Sequence, residues 1–352
     1  MVVRRRRLGR AVASVTVVVG FLFAVRLLGA ATAAATPAIE RALPRVVHSD
    51  ATALGAGWLA AYALANGSVA AAAGVALYAS DLLATSGLFA LVAGTRLGGA
   101  AAVVLVGALT HARRDGVGVR EATGLGLLTF VVTHTVYLPA TVVGLLALDP
   151  LVAGFLGVGR RVTAGATPAV DGPVIAAVVD AVGPLPATVL AVVVLLVTLR
   201  LFDRLLRGLD PETIRERVVA RVHGAPTTAA LVGFVVTGLT TSVAFSLGVV
   251  VPLYDRGYVR RAEVVPYALG ANLGTVLDTL VVAALLGSDR AVAVVLVLLA
   301  VSAAVTLVGL AAHDAYVGWV GAVHDRLLTD RWAFGAAVAL LVGTPLALLW
   351  VG

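Results

Sequence analysis

The sequence contains no cysteine, no lysine and only one methionine, and it is poor in charged residues. Of its 352 residues 13% are charged, about half the share of an average soluble domain, and 60% are hydrophobic. Without cysteine there is no disulfide framework, no thiolate nucleophile and no cysteine metal site. So few polar residues cannot cover the surface of a soluble globule of this length. These absences exclude an ordinary soluble domain, a disordered chain and a disulfide-stapled secreted module.

Long hydrophobic runs take up most of the chain, and they are long enough to span a bilayer as helices. The first run, at about 11–31, follows five arginines within residues 1–10. A basic segment before an apolar run is also typical of a cleaved signal peptide, but this run is longer than a signal peptide needs and further runs follow it. We therefore predict an all-α polytopic membrane protein whose N-terminus is cytoplasmic.

Arginines between the runs predict on which side of the membrane each connecting segment lies. Arginine clusters at 113–120 and 200–221 indicate cytoplasmic segments. Residues 149–172 are rich in glycine, proline and threonine, and we expect them to form a loop on the outer side. Segment 51–110 then enters the membrane from the outside, whereas segment 226–287 enters it from the cytoplasm.

These two segments align without gaps when one constant number, the repeat offset, is added to each residue number of the first segment. This repeat offset takes Trp58 to Phe234, Tyr78 to Tyr254, Gly94 to Gly270 and Gly98 to Gly274. Two related segments of opposite orientation are the inverted-repeat signature of secondary transporters. The alternative is that two glycine- and alanine-rich helix pairs match through their composition alone.

The repeat divides the chain into five regions. They are a cytoplasmic arginine-rich N-terminus with the first transmembrane helix (1–50), repeat 1 (51–112), connecting transmembrane helices with a cytoplasmic arginine-rich segment (113–225), repeat 2 (226–288) and C-terminal transmembrane helices (289–352). We expect re-entrant or broken helices within both repeats, because that is how such transporters build a site in the membrane.

Two short polar stretches interrupt the apolar sequence of repeat 2. One is Gly-Ala-Asn-Leu-Gly-Thr at 270–275, with Pro266 before it and Asp278 after it. Its glycines and the nearby proline weaken the helix, and a break exposes backbone carbonyls to a cation and N–H groups to an anion. The other stretch is Thr-Thr-Ser at 240–242. For either stretch alone, close helix packing through small residues is the alternative interpretation.

This pattern resembles the repeat of the sodium/phosphate cotransporter family, the type II class and its prokaryotic relatives. That repeat has a Gln-Ser-Ser-Ser motif, then a middle glycine, then Gly-Ala-Asn-Ile-Gly-Thr. In repeat 2, residues 270–275 match the last motif, Gly257 falls at the middle glycine, and 240–242 fall at the first motif without its glutamine. In repeat 1, residues 65–68 and 94–99 fall at the two motifs in degenerate form.

The resemblance covers roughly residues 11–110 and 226–312. It implies a secondary active transporter in the cell membrane, a sodium-coupled symporter of phosphate or a related inorganic anion. Its partners would be the anion and the lipid bilayer, with no nucleic acid, no cofactor beyond the coupling sodium ion and no enzyme activity; a homodimer is left open. The motifs and the polar residues near them nominate as substrate- or ion-binding Asn66, Ser68, Arg96, Thr240, Thr241, Ser242, Asn272, Thr275 and Asp278.

Asn272 and Thr275 are the candidate sodium ligands among these residues, because their side-chain oxygens are of the kind that sodium accepts. The missing glutamine and serines remove ligands that the family uses. An alternative is therefore a divergent member with the same fold but another solute or coupling ion, or no transport activity. A third reading, an intramembrane enzyme, would have only His134 with Asp278 as its reacting pair.

Arg96 takes the position of Asn272 in the repeat alignment. An arginine at membrane depth costs at least a few kcal/mol unless it is paired or hydrated. It could hold an anion such as phosphate through two parallel hydrogen bonds. Otherwise it pairs with Asp278 or Asp81, or reaches the membrane interface. Asp278 likewise could ligate a cation or a proton, or form a structural ion pair.

Overall fold

The computed structural model describes residues 2–111, 119–166, 172–207, 225–241, 246, 250 and 258–351, and all regular secondary structure in them is helical. The α-helices are α1 (Val2–Ala42), α2 (Asp50–Leu64), α3 (Gly67–Ala79), α4 (Thr85–His111), α5 (Val119–Leu146), α6 (Leu148–Gly165), α7 (Gly172–Val182), α8 (Pro184–Arg207), α9 (Pro226–Thr240), α10 (Arg261–Gly274), α11 (Val276–Leu285), α12 (Asp289–Ala311), α13 (His313–Thr329) and α14 (Arg331–Leu348).

Six stretches of the described residues are long and apolar enough to cross a bilayer, by length and composition. They are Val12–Arg45, Gly126–Leu146, Pro184–Leu206, Arg261–Leu285, Asp289–Ala311 and Arg331–Leu348. Helices α3, α7 and α9 are apolar but shorter. At a rise of about 1.5 Å per residue, α3 and α9 reach only about two thirds of the way across a bilayer. The chain is an all-α polytopic membrane protein, as its hydrophobic runs predict.

Helices α2 and α3 form a hairpin whose turn lies within an apolar stretch. Ala65 ends α2 in the left-handed conformation, with φ 48°, and Asn66 then caps α3 by accepting a hydrogen bond from the Val69 N–H at 3.1 Å. Gly57 of α2 and Gly74 of α3 both lie against Leu91 of α4, so the two helices run antiparallel. Since neither helix is long enough to cross the membrane, the hairpin has the dimensions of a re-entrant element.

The first helix of repeat 2 begins and ends, and its long helix begins, where the repeat offset predicts. The offset takes both ends of α2 to the two ends of α9, and it takes the first residue of α4 to the first residue of α10. Thr241, which follows α9, has φ 49°, as Ala65 has φ 48° after α2. A left-handed residue that is not glycine is uncommon, so its recurrence at matched positions is specific.

Matched glycines bring the first helix of each repeat against the long helix that follows the hairpin. A Cβ on any of them would lie within 3.0 Å of a carbonyl oxygen of the facing helix, closer than real Cβ atoms come. The pairs are Gly57–Leu91, Gly94–Leu54 and Gly98–Trp58 in repeat 1, and Gly233–Tyr267, Gly270–Ala230 and Gly274–Phe234 in repeat 2. The repeat offset relates both members of each pair. The internal repeat is thus a feature of the packing, while the opposite orientation of its copies stays a prediction.

The expected loop at 149–172 was wrong for most of its length, because Leu148–Gly165 is the helix α6. One face of α6 buries Leu148, Val152 and Gly159, while Arg160 and Arg161 are exposed. The content of glycine and threonine suggested a loop. The segment is helical because its apolar residues form one face, which packs against α12. Around the repeats, α1 packs along α8 and α14 packs against α2.

Candidate functional site

Arg96 on α4 and Asp278 on α11 form an ion pair inside the helix bundle. Arg96 Nη2 lies 3.3 Å from Asp278 Oδ1, and the two side chains are only 4% and 5% exposed. The guanidinium also donates to the carbonyl oxygen of Thr275 at 2.9 Å and to Thr279 Oγ1. Thr279 Oγ1 in turn donates to Asp278 Oδ1 at 2.9 Å. Of the two carboxylates expected as partners of Arg96, the structure pairs it with Asp278, whereas Asp81 is exposed.

The ion pair lies beside the junction of α10 and α11, where Thr275 interrupts the helix. The interruption is slight, because Thr275 keeps right-handed helical dihedrals of φ −68° and ψ −20°. The predicted break is therefore a one-residue interruption rather than an unwound segment. The carbonyls at the junction have protein donors: Thr275 Oγ1 donates to the Asn272 carbonyl at 2.7 Å, and Tyr137 Oη donates to the same oxygen at 2.6 Å.

Asn272 faces the interior of the bundle, as its 5% exposure shows. Its side-chain Oδ1 accepts a hydrogen bond from Thr133 Oγ1 on α5 at 2.8 Å, and its Nδ2 donates to the Ala268 carbonyl of its own helix at 3.0 Å. Thr275 is also buried. The two candidate sodium ligands are therefore close to each other and to the ion pair. Their role in holding sodium stays a prediction.

The turn of the first hairpin and the end of α9 each pack beside the sequence neighbour of one member of the ion pair. A Cβ on Gly67, in the first hairpin, would lie 2.6 Å from the carbonyl oxygen of Thr95, the neighbour of Arg96. A Cβ on Gly238, near the end of α9, would lie 2.7 Å from the side chain of Leu277, the neighbour of Asp278. The first hairpin turn and the end of α9 thus lie near the buried charges, one from each repeat.

The nominated residues of the two turns differ in their surroundings. Asn66 and Ser68 are half-buried, and the Asn66 side chain is engaged as the cap of α3. Thr240 Oγ1 donates to the Val236 carbonyl of its own helix at 2.7 Å. Thr241 is half-buried in the left-handed turn. Ser242 lies outside the described residues.

Charge is balanced within the ion pair, but its hydrogen bonding is incomplete. Asp278 Oδ2 and Arg96 Nε are both buried, and neither has a hydrogen-bond partner among the described residues. The guanidinium therefore contacts the carboxylate through one oxygen only, not through the two parallel hydrogen bonds that arginine and carboxylate groups can form. Arg96 offers no spare positive charge while this pair is intact.

Sequence reasoning missed three residues that surround the site. Thr133 and Tyr137 of α5 contact Asn272, and Thr279 contacts both charged side chains. Thr133 and Tyr137 stand four positions apart, so they share one face of a helix. Two polar residues at that spacing in an apolar helix were the available signal. A further hydroxyl chain inside repeat 2 runs Thr237–Ser246–Tyr267, with oxygen–oxygen distances of 2.6 and 2.7 Å.

His134 and Asp278 are engaged in different contacts. His134 Nδ1 lies 2.9 Å from the Phe130 carbonyl, and its ring contacts those of Phe130 and Trp58 at centroid distances of 3.8 and 5.4 Å. Asp278 is paired with Arg96. His134 and Asp278 therefore form no hydrogen bond with each other in the structure. Among the described residues, no group of three or more histidine, aspartate or glutamate side chains could hold a metal ion.

Two matched helix pairs, α2 with α4 and α9 with α10, carry a buried polar cluster between them, so the protein is a polytopic membrane protein built from an internal repeat. Residues 194–346 match the family model described as Na+/Pi-cotransporter, so this part of the chain is similar to the sodium/phosphate cotransporter family. Six helical stretches that are long and apolar enough to cross a bilayer make the chain a multi-pass membrane protein, and the matched family model supports a transporter role. A search of curated proteins and of solved structures found no significant match. The matched residues contain repeat 2, to which repeat 1 is related by the matched helix bounds and glycine contacts.

Proposed function

We propose that the protein is a sodium-coupled transporter of phosphate or a related inorganic anion. The family match supports this substrate class and this coupling ion. The observation that carries the proposal is the placement of the α2–α3 turn and of the end of α9, each beside one member of the Arg96–Asp278 pair. A site formed where two repeats meet, beside a hairpin turn and a helix junction, is the kind of arrangement by which secondary transporters hold a solute and its coupling ion.

The anion would bind at the first hairpin turn. Backbone N–H groups at the start of a helix attract negative charge, and α3 begins at that turn. Ser68 supplies a half-buried hydroxyl there, and Thr241 supplies one at the matched turn of repeat 2. Hydroxyl and N–H donors can thus bind an anion without help from Arg96. The sodium ion would bind near Asn272 and Thr275, which offer side-chain oxygens beside the helix junction.

The second candidate is a transporter of the same family with another solute or another coupling ion. The ion pair is the observation that favours it, because Asp278 neutralises the one arginine that the repeat alignment places at the site. Under this candidate the two hairpins and the junction keep their roles, and only the solute that the turns accept changes.

Uptake of radiolabelled phosphate into proteoliposomes tests the proposal. We expect an inward sodium gradient to stimulate uptake, and an equal choline gradient to leave it at the level of liposomes without protein. Ser68→Ala should raise the phosphate concentration for half-maximal uptake about tenfold, because a hydrogen bond to a charged group is lost. Ser14→Ala, an exposed serine of α1, is the matched control and should behave as the wild type.

Competing anions separate the two candidates in the same assay. If unlabelled sulfate, nitrate or a carboxylate suppresses uptake better than unlabelled phosphate does, the second candidate replaces the first. Equal uptake with sodium and choline gradients would rule out sodium as the coupling ion while leaving the anion to be assigned.

A further inference from the structure

The guanidinium of Arg96 occupies a position lined by three oxygens of one short segment. They are the Thr275 carbonyl, the Asp278 carboxylate and the Thr279 hydroxyl. Carbonyl, hydroxyl and carboxylate oxygens are the ligands that hard cations prefer. One carboxylate among otherwise neutral oxygens balances one positive charge, so the set suits a monovalent ion.

These three oxygens are arranged to suit a compact ion better than the planar guanidinium of Arg96. Arginine matches a carboxylate best through two parallel N–H···O bonds. Here only Nη2 contacts the carboxylate, through Oδ1, while Oδ2 has no donor among the described residues and Nε of Arg96 has no acceptor there. A small cation seated between the three oxygens could approach both carboxylate oxygens, because it has no fixed direction of bonding.

The two repeats contribute unequally to this position. The repeat 1 residues that correspond to Thr275, Asp278 and Thr279 are Gly99, Ala102 and Val103, which carry no side-chain oxygen. Conversely, the repeat 2 residue that corresponds to Arg96 is Asn272, which is neutral and hydrogen-bonded within α10 and to α5. Repeat 2 therefore supplies all the oxygens, and repeat 1 supplies the positive charge.

We propose that Arg96 is a tethered cation, whose guanidinium permanently fills a site that the Thr275, Asp278 and Thr279 oxygens would otherwise offer to one sodium ion. The proposal rests on the proposed function in taking sodium as the coupling ion. A cation fixed to α4 cannot be released on the far side of the membrane, so this position contributes no driving force to transport. The chain then couples to one sodium ion fewer than its oxygens could hold.

Removal of the tether should open the site. Arg96→Ala leaves Asp278 buried without a counter-charge, and a sodium ion can restore the balance. The number of sodium ions bound per chain is measured by equilibrium binding of radiolabelled sodium to the purified full-length protein, which is prepared in sodium chloride throughout. We expect Arg96→Ala to bind one ion more than the wild type, and Arg96→Ala/Asp278→Asn to bind the wild-type number. Arg160→Ala, which removes an exposed arginine of α6, should also match the wild type.

Three results would overturn the tethered cation. The first is an equal number of ions on Arg96→Ala and on the wild type. The second is an extra ion that persists when Asp278→Asn is added. The third is failure of Arg96→Ala to fold at any sodium concentration, because sodium has then failed to replace the guanidinium. The proposed function is judged separately by the wild type alone: a wild type that binds no sodium contradicts sodium coupling, while the difference between wild type and Arg96→Ala still decides the role of Arg96.

Discussion

In their first helices and in the start of their long helices, repeat 1 and repeat 2 share one backbone plan, but their chemistry differs. Their first helices, their left-handed residues Ala65 and Thr241 and their six glycine contacts coincide once one repeat is shifted onto the other by the repeat offset. Their buried charges do not coincide, since repeat 1 contributes Arg96 and repeat 2 contributes Asp278. A carbonyl contact has no room for a Cβ in either copy, whereas an interior side chain can change if its charge is balanced across the interface. Backbone packing is therefore shared, and the site is assembled from complementary halves.

Replacing Asp278 of repeat 2 by alanine, the residue at the matched position of repeat 1, should have the largest effect on stability. Asp278→Ala introduces the residue type found at Ala102, and it leaves the Arg96 guanidinium buried without a counter-charge. We expect a loss of about 3–5 kcal/mol in the free energy of unfolding. Denaturation of the purified protein by sodium dodecyl sulfate in mixed micelles measures this change.

A double variant is the control for this first prediction. Arg96→Met/Asp278→Leu replaces both charges by apolar side chains, and it should recover most of the stability because no buried charge remains. If the double variant is no more stable than Asp278→Ala, the two charges do not balance each other in the folded protein.

The shared glycine contacts should be comparably sensitive in both repeats. Gly270→Ala and Gly94→Ala each drive a methyl group into a facing carbonyl oxygen, so we expect each to lower the free energy of unfolding by about 1–3 kcal/mol. Gly99→Ala is the control, since a Cβ there meets nothing within 4 Å and alanine favours the helix. Thermal unfolding of the three variants in one detergent ranks them. A tolerant Gly94 beside an intolerant Gly270 would show that the repeats do not share their packing.

The left-handed turns should respond alike in stability but differently in transport. Ala65→Gly and Thr241→Gly each relieve a residue with positive φ, and each should stabilise the fold by about 0.5–1 kcal/mol. Thr241→Gly also deletes a hydroxyl that we place at the anion site, so phosphate uptake should weaken in that variant and not in Ala65→Gly. The same change in uptake for both variants would assign the effect to the turn and not to the hydroxyl.

The smallest expected difference in stability comes from the first residues of the matched long helices, Thr85 of α4 and Arg261 of α10. Arg261 Nη2 lies 2.7 Å from Asp325 Oδ1, and this hydrogen bond lowers the pKa of the Asp325 carboxyl below its ordinary value. A depressed pKa stabilises the fold above the ordinary value, and that stability is lost as the pH falls through the folded value. Because the Asp325 side chain is 58% exposed, we expect this ion pair to contribute under about 1 kcal/mol to the free energy of unfolding. That contribution should be lost below about pH 4.

Unfolding free energies at neutral pH and at about pH 3 test this last prediction. Asp325→Asn should reduce the loss on acidification. Thr85 instead contacts Tyr78, with 3.2 Å between the two hydroxyl oxygens, and Thr85→Ala should leave the acid dependence unchanged. An unchanged loss in Asp325→Asn would assign it to other carboxylates.

The sequence predicted the fold well because the signals for helices and repeats are local. Hydrophobic runs report membrane helices directly, and a constant offset aligns Gly94 with Gly270 before any contact is known. The helix α6 was missed since its apolar residues lie on one face only and its glycines resemble those of a loop. Composition alone does not separate an amphipathic helix from a loop; the spacing of Leu148 and Val152 does.

The candidate site could be predicted only in part, because its contacts join residues far apart in the chain. Asn272, Thr275, Asp278 and Arg96 stood out as polar residues in apolar sequence, and the structure brings them together. Which carboxylate would face Arg96 could not be read from spacing, since Asp81 and Asp278 were both available. The placement of Tyr137 over the Asn272 carbonyl depends on how α5 packs against α10, and no local pattern encodes that.

The glycine contacts also constrain how the helices of this membrane protein move. Where the glycine Cα of one helix contacts a carbonyl oxygen of another, no side chain lies between the helices that could change rotamer, and no gap is left. The two helices therefore pack in a single arrangement. The first helix of each repeat and the long helix behind it must then travel as one solid arm. Under the proposed transport function, the site can open only by sliding or rocking of these arms along surfaces lined by full side chains, and a gate must open between arms rather than within one.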